Sequence, residues 1–223
     1  MTLVIGAFCE NGMAFCSDTE EGTVGGGKRD VRKLFDFCGD GWSLLIGTAG
    51  FGPLCDVGAK RIMIAAANAD FMQRHDERLS EAMAQLYSQY IPQSLPEWKQ
   101  QDRQVSFVIG IVNRRTGERL LYKTAEEIVQ PVQHQFACAG VGQEIALYLL
   151  DRLFDELPAR QCQQLLAFVM REAKESVGNV GGNTEIVTVM NNSPGTVRQR
   201  FAPGWDAKQP RLWNNVTKFW TGS

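Results

Sequence analysis

The second residue of the chain, Thr2, has the functional groups needed for acyl transfer once Met1 is removed. A threonine hydroxyl is a weak nucleophile unless a base lies beside it, and the α-amine of an N-terminal threonine is such a base. Threonine is also small enough for methionine aminopeptidase to remove the methionine before it. Many proteins begin with Met-Thr, so an ordinary residue leading into a first strand remains the alternative interpretation of Thr2 alone.

Three short segments in the first 50 residues give Thr2 a context: Ser17–Thr19, Arg32–Phe35 and Leu45–Gly50. In these segments the chain resembles the proteasome β-subunit family of N-terminal-nucleophile hydrolases, which includes the peptidase subunit of the bacterial ATP-dependent two-component protease. The spacing from Thr2 to the aspartate of the first segment matches that family. The spacing from there to the lysine of the second segment is one residue shorter, which a glycine-rich loop can absorb.

The resemblance implies a catalytic set of Thr2, Asp18, Lys33 and Gly47. The hydroxyl of Thr2 would attack the scissile carbonyl, and its α-amine would accept the proton. The ammonium of Lys33 would lower the pKa of that amine, Asp18 would hold Lys33 in place, and the backbone N–H of Gly47 would face the developing oxyanion. A turn residue at Asp18 and a surface charge at Lys33 stay open as alternatives, because isolated ion pairs have the same appearance in a sequence.

The resemblance covers roughly residues 2–190, and it includes two later glycine motifs. Cys138–Gly142 is similar to an A-x-G-S-G turn of the family, and Gly181–Asn183 is similar to its glycine turn before a late strand. Two positions depart from the family: Val141 stands where a serine is usual, and Gly178 where an aspartate is usual.

Both of those family side chains help to orient the N-terminal amine. Without them, the support for the amine would come from other groups, with Asn179 and Ser176 as candidates. These two departures do not change the expected fold. They weaken the expectation of efficient peptide hydrolysis.

Hydrophobic periodicity predicts strands, two helices, strands, two helices and final strands. Turn signals at Asn11-Gly12 and Asp40-Gly41 indicate hairpins and therefore antiparallel sheets. We expect an α+β protein with a four-layer αββα sandwich, two antiparallel sheets flanked by helix pairs. One domain is predicted over residues 1–202, followed by a Trp-rich and basic arm over residues 203–223. The predicted strands are Leu3–Cys9, Met13–Ser17, Leu34–Cys38, Trp42–Ile46, Val105–Val112, Leu120–Lys123, Gln135–Ala139, Glu185–Met190 and Val197–Phe201. The first two helices are predicted to begin near Pro53 and Ser80, and the last two carry apolar residues at helical spacing from Ile145 to Leu153 and from Cys162 to Val177.

One glycine-rich segment, Gly22–Lys28, matches the G-x-x-x-x-G-K pattern of a phosphate-binding loop. That loop requires Ser or Thr next and then a helix, whereas Arg29 follows here and Val31–Phe37 is predicted to be a strand. We therefore interpret Glu20–Gly27 as a polar loop without a nucleotide site.

Composition excludes several classes of partner. The chain has 223 residues, with 23 basic and 25 acidic side chains and a formal charge of −2, so neither nucleic acid nor a membrane surface is expected as a partner. No apolar run approaches the roughly 18 residues of a membrane span, and the first residues do not resemble a secretory signal, so we expect a cytoplasmic protein. Six scattered cysteines and only two histidines offer little for a metal site, and we expect no metal or cofactor.

The resemblance implies a threonine-type peptidase acting on peptide or protein substrates in a homo-oligomeric ring or spiral, with an ATPase partner left open. Two alternatives remain: a narrow-specificity amidase or transpeptidase, and a catalytically inactive assembly protein. The arm contains Trp205, Trp213 and Trp220, a residue type that is frequent at interface anchors. Packing of the arm on its own domain is an equal alternative to a subunit interface.

Overall fold

The strands of the protein form two large antiparallel sheets. The computed structural model describes residues 2–22, 27–91, 103–193 and 195–202, and within these ranges the first sheet has the order β10-β1-β2-β11-β12 and the second β5-β6-β7-β8-β9. A separate two-stranded ribbon is formed by β3 and β4. In chain order the strands are β1 (Leu3–Cys9), β2 (Gly12–Asp18), β3 (Glu20–Gly22), β4 (Lys28–Asp30), β5 (Leu34–Gly39), β6 (Trp42–Gly50), β7 (Val105–Asn113), β8 (Arg119–Ala125), β9 (Ile128–Pro131), β10 (Phe136–Gly140), β11 (Thr184–Met190) and β12 (Thr196–Phe201).

Four α-helices in the described residues cover the outer faces of the sheets. Helices α1 and α2 pack on each other and on the second sheet, while α3 and α4 pack on the first. The bounds are α1 (Gly52–Ala66), α2 (His75–Tyr90), α3 (Gln143–Leu153) and α4 (Ala159–Ser176), and a 3₁₀ turn (Phe71–Gln73) precedes α2. The buried residues of α4 recur at spacings of three and four, as an amphipathic helix requires: Cys162, Leu165, Leu166, Val169, Met170 and Ala173.

The two sheets pack face to face through a third hydrophobic core. At its centre Phe15 is 1% exposed, and its ring lies over two glycines. A Cβ at Gly6 would lie 2.7 Å from Phe15 Cζ, and a Cβ at Gly110 would lie 2.8 Å from Phe15 Cε2. One large aromatic side chain thus occupies the space that two glycines leave open, which is how close packing is reached between the sheets.

The predicted fold class is confirmed: the layers follow the order helices, sheet, sheet, helices. No helix in the described part of the chain has the length and apolar character that a bilayer span demands. All six cysteines are free thiols, and only Cys38 is exposed. The predicted arm over residues 203–223 lies outside the described residues, and the boundary at residue 202 stays a prediction.

Two local predictions were wrong in detail. The segment Glu20–Gly27 is not all loop, because β3 pairs with β4 through the opposed residues Glu21 and Arg29, whose charged groups are 2.6 Å apart. Such a polar ribbon has no hydrophobic alternation to reveal it. The first hairpin turns at residues 10 and 11, one residue earlier than predicted, and Gly12 lies in β2, where a Cβ would be 2.1 Å from Val189 O of β11.

The bounds or the existence of three further segments also differ from the prediction, because polar residues interrupt or extend the hydrophobic pattern. Helix α2 begins at His75 rather than near Ser80, with a polar first turn. Strand β9 was not predicted, because the two-residue turn before it contains Glu126 with a φ of 54° rather than a glycine or asparagine. The segment Val31–Phe37 becomes strand only from Leu34 onward.

The packing of Phe15 leads to a test of the sandwich. Replacing Phe15 with Ala should lower the free energy of unfolding by about 3–5 kcal/mol, because a cavity opens between two sheets that cannot collapse. The half-exposed Val197 of β12 provides the control, since Val197→Ala should change stability by less than about 0.5 kcal/mol. Urea denaturation followed by tryptophan fluorescence measures both, and equal effects would contradict this account of the core.

Candidate active site

The carboxylate of Asp18, at the end of β2, is completely buried and accepts four hydrogen bonds. Its Oδ1 accepts from Thr2 Oγ1, from the Leu3 backbone N–H at 2.9 Å and from Lys33 Nζ at 3.0 Å. Its Oδ2 accepts from the Gly181 backbone N–H at 3.2 Å. A buried carboxylate requires such donors, because desolvating a charge without them costs several kcal/mol.

The ammonium of Lys33 lies just before β5 and is nearly buried, with 7% of its side chain exposed. Besides Asp18 it contacts the Glu20 backbone carbonyl, to which Nζ donates at 2.5 Å. Burial lowers the pKa of Lys33 below its ordinary value, and the charge of Asp18 opposes that change only in part. Lys33 is therefore a cation held inside the protein by one carboxylate and one carbonyl.

Thr2 is 3% exposed and lies at the start of β1, directly beside β10. Gly140, the last residue of β10, has a φ of 103°, and a Cβ there would be 2.1 Å from the Thr2 carbonyl oxygen. Only glycine combines this backbone conformation with so close an approach. The glycine of the Cys138–Gly142 motif thus allows the backbone of Thr2 to lie against β10.

The loop before β11 supplies the fourth donor to Asp18, and α4 holds that loop. Lys174 in the last turn of α4 donates from Nζ to the Gly182 carbonyl at 2.9 Å and to Thr184 Oγ1 at 2.8 Å. The carbonyl of Gly181 accepts from the backbone N–H of Glu20 at 3.2 Å. Lys174 was not predicted as a site residue, because a lone lysine on a helix gives no sequence signal of such a role.

A pocket with about 400 Å³ of empty space, part of it open to solvent, lies in front of Thr2. Burial raises the pKa of the Cys55 thiol to about 12, so this thiol is protonated near neutral pH and Thr2 is the nucleophile candidate of the pocket. The residues that line it come from β1, the β3–β4 ribbon, the segment before β5, the end of β6 and the start of α1: Thr2, Glu21, Arg29, Val31, Arg32, Lys33, Thr48, Gly50, Gly52, Cys55 and Asp56.

Of the predicted site residues, Thr2 and Lys33 line this pocket, Asp18 lies behind them and binds both, and Gly47 neither lines the pocket nor contacts Asp18 in the described hydrogen bonds. A Cβ at Gly47 would lie 2.3 Å from Val4 Cγ1, so the open side of this glycine faces the core between the sheets. Its backbone N–H points toward β7. Successive amides of a strand point to opposite sides, and Phe51 N–H, four residues after Gly47, donates to the carbonyl of Gln104, the residue before β7. The structure thus brings Thr2, Asp18 and Lys33 together and leaves Gly47 apart.

Gly50, three residues later, lines the pocket that Gly47 does not reach. Thr48 N–H donates to Lys33 O at 3.0 Å, on the β5 side of β6, and by the same alternation the N–H of Gly50 points to that side. Strand β5 begins only at Leu34, whose partner is Gly47, so no β5 residue lies opposite Gly50. The Leu45–Gly50 motif contains both glycines, and only the strand register distinguishes them.

The two positions that depart from the family pattern lie in turns. Val141 is 44% exposed between β10 and α3. Gly178 follows α4, and a Cβ there would have no atom within 4 Å among the described residues. Asn179, one of the proposed substitutes, lies next in the same turn, and neither Val141 nor Gly178 lines the pocket.

Comparisons with known proteins agree with the fold. The family described as Proteasome subunit matches residues 2–189. The Gly-1 mutant of Anbu from Hyphomicrobium sp. strain MC1 has a TM-score of 0.76 at 16% identity, covering 98% of this chain and 97% of that one. Anbu, an ancestral beta-subunit, from Yersinia bercovieri has a TM-score of 0.77 at 15% identity, with coverage of 98% and 97%.

A third structure, the helical assembly of the Anbu complex from Pseudomonas aeruginosa, has a TM-score of 0.77 at 14% identity and covers 99% of this chain and 96% of that one. At such identities the likeness to solved structures shows the fold alone. No curated protein sequence matches the chain.

The burial of Lys33 allows a test that needs no activity. An NMR titration of the Lys33 Cε and Nζ signals should give a pKa below the ordinary lysine value of about 10.4. Asp18→Asn should lower that pKa further, because the charge that opposes desolvation is removed. An unchanged or higher pKa in the Asp18→Asn protein, with its fold verified by its amide spectrum, would contradict the assigned ion pair.

Proposed function

Because the chain belongs to the proteasome subunit family, we propose that it is a threonine-type peptidase or amide hydrolase that uses Thr2 once Met1 is removed. The observation that carries this proposal is the buried carboxylate of Asp18, which binds both the hydroxyl of Thr2 and the ammonium of Lys33 at one pocket. A hydroxyl and a cation thus meet at a single place beside a pocket that opens to solvent.

The proposed reaction begins with attack of Thr2 Oγ1 on a scissile carbonyl. The α-amine of Thr2 accepts the hydroxyl proton, and the carbonyl electron pair moves to the oxygen to form a tetrahedral oxyanion. When the oxyanion collapses, the C–N bond breaks, the amine takes the proton and leaves, and an ester remains on Thr2. Water then attacks this ester by the same steps and releases the acid.

Each neighbouring group has a part in that reaction. The charge of Lys33 favours the neutral, basic form of the nearby α-amine, and Asp18 fixes Lys33 and Thr2 relative to each other. The role of oxyanion donor, expected for Gly47, passes in this proposal to Gly50, whose N–H is directed to the pocket side of β6. A backbone donor fixed by a β-strand is well suited to stabilising charge as it develops.

A narrow-specificity amidase or transpeptidase is the second candidate, favoured by the turns at Val141 and Gly178. Neither residue has a polar side chain to orient the α-amine, and a loosely held base spends less time within the roughly 2.6–3.2 Å that proton transfer needs. Slow turnover of generic peptides, together with ready acylation of Thr2, is the behaviour expected of this candidate.

We further propose that the protein forms a homo-oligomer. The Anbu structure from Pseudomonas aeruginosa, which shares the fold, is described as a helical assembly. Light scattering on the intact protein should therefore give a mass several times that of the 24.8 kDa chain. A family subunit that assembles without catalysis is the remaining alternative, and the acylation experiment below separates it.

A peptide β-lactone tests the nucleophile directly. Thr2 Oγ1 should open the lactone ring, so that an ester forms on Thr2, the released alkoxide takes the proton, and the protein gains the whole mass of the reagent. Intact-mass and peptide mass spectrometry should show a chain without Met1 that carries the adduct on Thr2. Thr2→Ala should abolish the adduct, while Thr2→Ser, which keeps a hydroxyl and an α-amine, should retain measurable labelling.

Two results of this experiment would contradict the proposal. Labelling of Thr2→Ala at the rate of the parent protein would place the nucleophile elsewhere. A folded protein that retains Met1 and never reacts would favour the assembly alternative, because a peptide-bonded Thr2 nitrogen cannot act as a base.

A further inference from the structure

We propose that the pocket beside Thr2 selects a substrate with a cationic side chain, of the lysine or arginine type, next to the scissile bond, and that Asp56 is the residue that determines this preference. The inference rests on the proposed function, since it concerns the substrate of the same site. The observation that supports it is the way in which the charged side chains around the pocket form ion pairs.

Every basic side chain that lines the pocket already has an acidic partner. Arg29 pairs with Glu21 at 2.6 Å and Lys33 with Asp18 at 3.0 Å. Arg32 pairs in the same way with Asp36, at 3.1 Å, on β5. In the part of the chain that the structure describes, each cation of the pocket lining thus has an acidic partner, and Asp36 is shared with Arg198, which also pairs with Glu185.

Asp56 is the pocket carboxylate without an ion-pair partner among the described residues. It lies one turn into α1 and is one of the residues that line the pocket. Desolvation by burial raises the pKa of Asp56, and the nearby charge of Glu21 raises it further, while Arg29 opposes them. Two carboxylates that repel each other in a pocket favour a cation between them, since its binding relieves the repulsion.

The position of Glu21 depends on a residue without a side chain. A Cβ at Gly52 would lie 1.8 Å from Glu21 Oε1, so the carboxylate occupies the place of a side chain at the start of α1. The Glu21 side chain is only 14% exposed, whereas that of its partner Arg29 is 59% exposed. The acidic member of this pair is thus fixed inside the pocket, and the basic member extends toward solvent.

Asp56 is therefore the charge of the pocket lining that is left without a partner among the described residues. A lysine or arginine side chain entering from solvent would meet this carboxylate beside the reactive Thr2. Its aliphatic part would contact the lining while the charged end pairs, as long basic side chains do at other surfaces. Asp56 is exposed, so the expected preference is modest, about twofold to fivefold, as for a solvated ion pair.

Three matched peptide boronates measure the preference. They differ only in the side chain next to boron, which is that of lysine, of the neutral norleucine, or of glutamate. Thr2 Oγ1 donates an electron pair to trigonal boron and its proton passes to the α-amine, so one bond forms and no group leaves. Inhibition constants, read by competition with the β-lactone for Thr2, should rank lysine tightest and glutamate weakest.

Two variants connect the preference with the pocket. Asp56→Asn should reduce the lysine-to-norleucine ratio from about twofold to fivefold to about one, because the unpaired carboxylate is lost. Glu21→Gln should shift the preference toward the glutamate boronate, because Arg29 loses its partner. Asp151→Asn is the matched control, since it changes an exposed aspartate on α3, and it should keep the ratio of the parent protein. A general loss of folded protein or of Thr2 reactivity affects both inhibition constants equally and cancels in their ratio.

Each outcome decides a separate claim. If the boronates bind and the parent protein shows no lysine preference, or Asp56→Asn keeps it in full, the inference on substrate charge is overturned while the proposed nucleophile stands. If none of the three boronates binds a folded protein that lacks Met1, the proposed function fails, and this inference fails with it.

Discussion

One buried carboxylate, that of Asp18, is the constraint on which the site depends. Its two oxygens accept donors from the start of β1, from the residue before β5 and from the loop before β11. Such a charge is stable inside the protein only while these donors stay in place. The carboxylate therefore links three segments that are far apart in the sequence, and it fixes Thr2 and Lys33 at the same time.

The sandwich supplies the geometry that this carboxylate requires. The hairpin register places Val4 opposite Ser17, so the next pair along the ladder brings Leu3 beside Asp18. The second sheet then brings the end of β6 and the residue before β5 to the same end of the molecule. Lys174 of α4 holds the loop of Gly181, so that the helical layer also contributes to the position of Asp18.

The layer order and the main helices could be predicted from sequence because long elements bury one regular face. Strand β1 was predicted with its observed bounds, and the apolar spacing of α4 indicated the correct helix. The β3–β4 ribbon and β9 could not be predicted, because their stability comes from cross-strand charges and from a turn without glycine. The pattern of residues within a short segment contains no information on cross-strand charge pairs or on a turn of this kind.

The same limit applies to the site. Thr2 and Asp18 lie at the open end of the β1–β2 hairpin, whereas Lys33 precedes β5 of the other sheet, so its place beside them was expected only from the family resemblance. The choice between Gly47 and Gly50 depends instead on which strand each amide faces, which only the register determines. Glu21 and Asp56 line one pocket because the ribbon lies against the start of α1 at Gly52, an arrangement that no spacing in the sequence encodes.

The central claim is that Asp18 and Lys33 act on Thr2 as one unit, and a double-mutant cycle on the acylation rate of Thr2 tests it most directly. Asp18→Asn and Lys33→Met should each slow acylation by a peptide β-lactone by about 100-fold or more. The account predicts that the double variant is no slower than the more damaged single variant, because either change already breaks the unit. A double variant whose loss equals the product of the two single losses would show independent actions and would contradict the account.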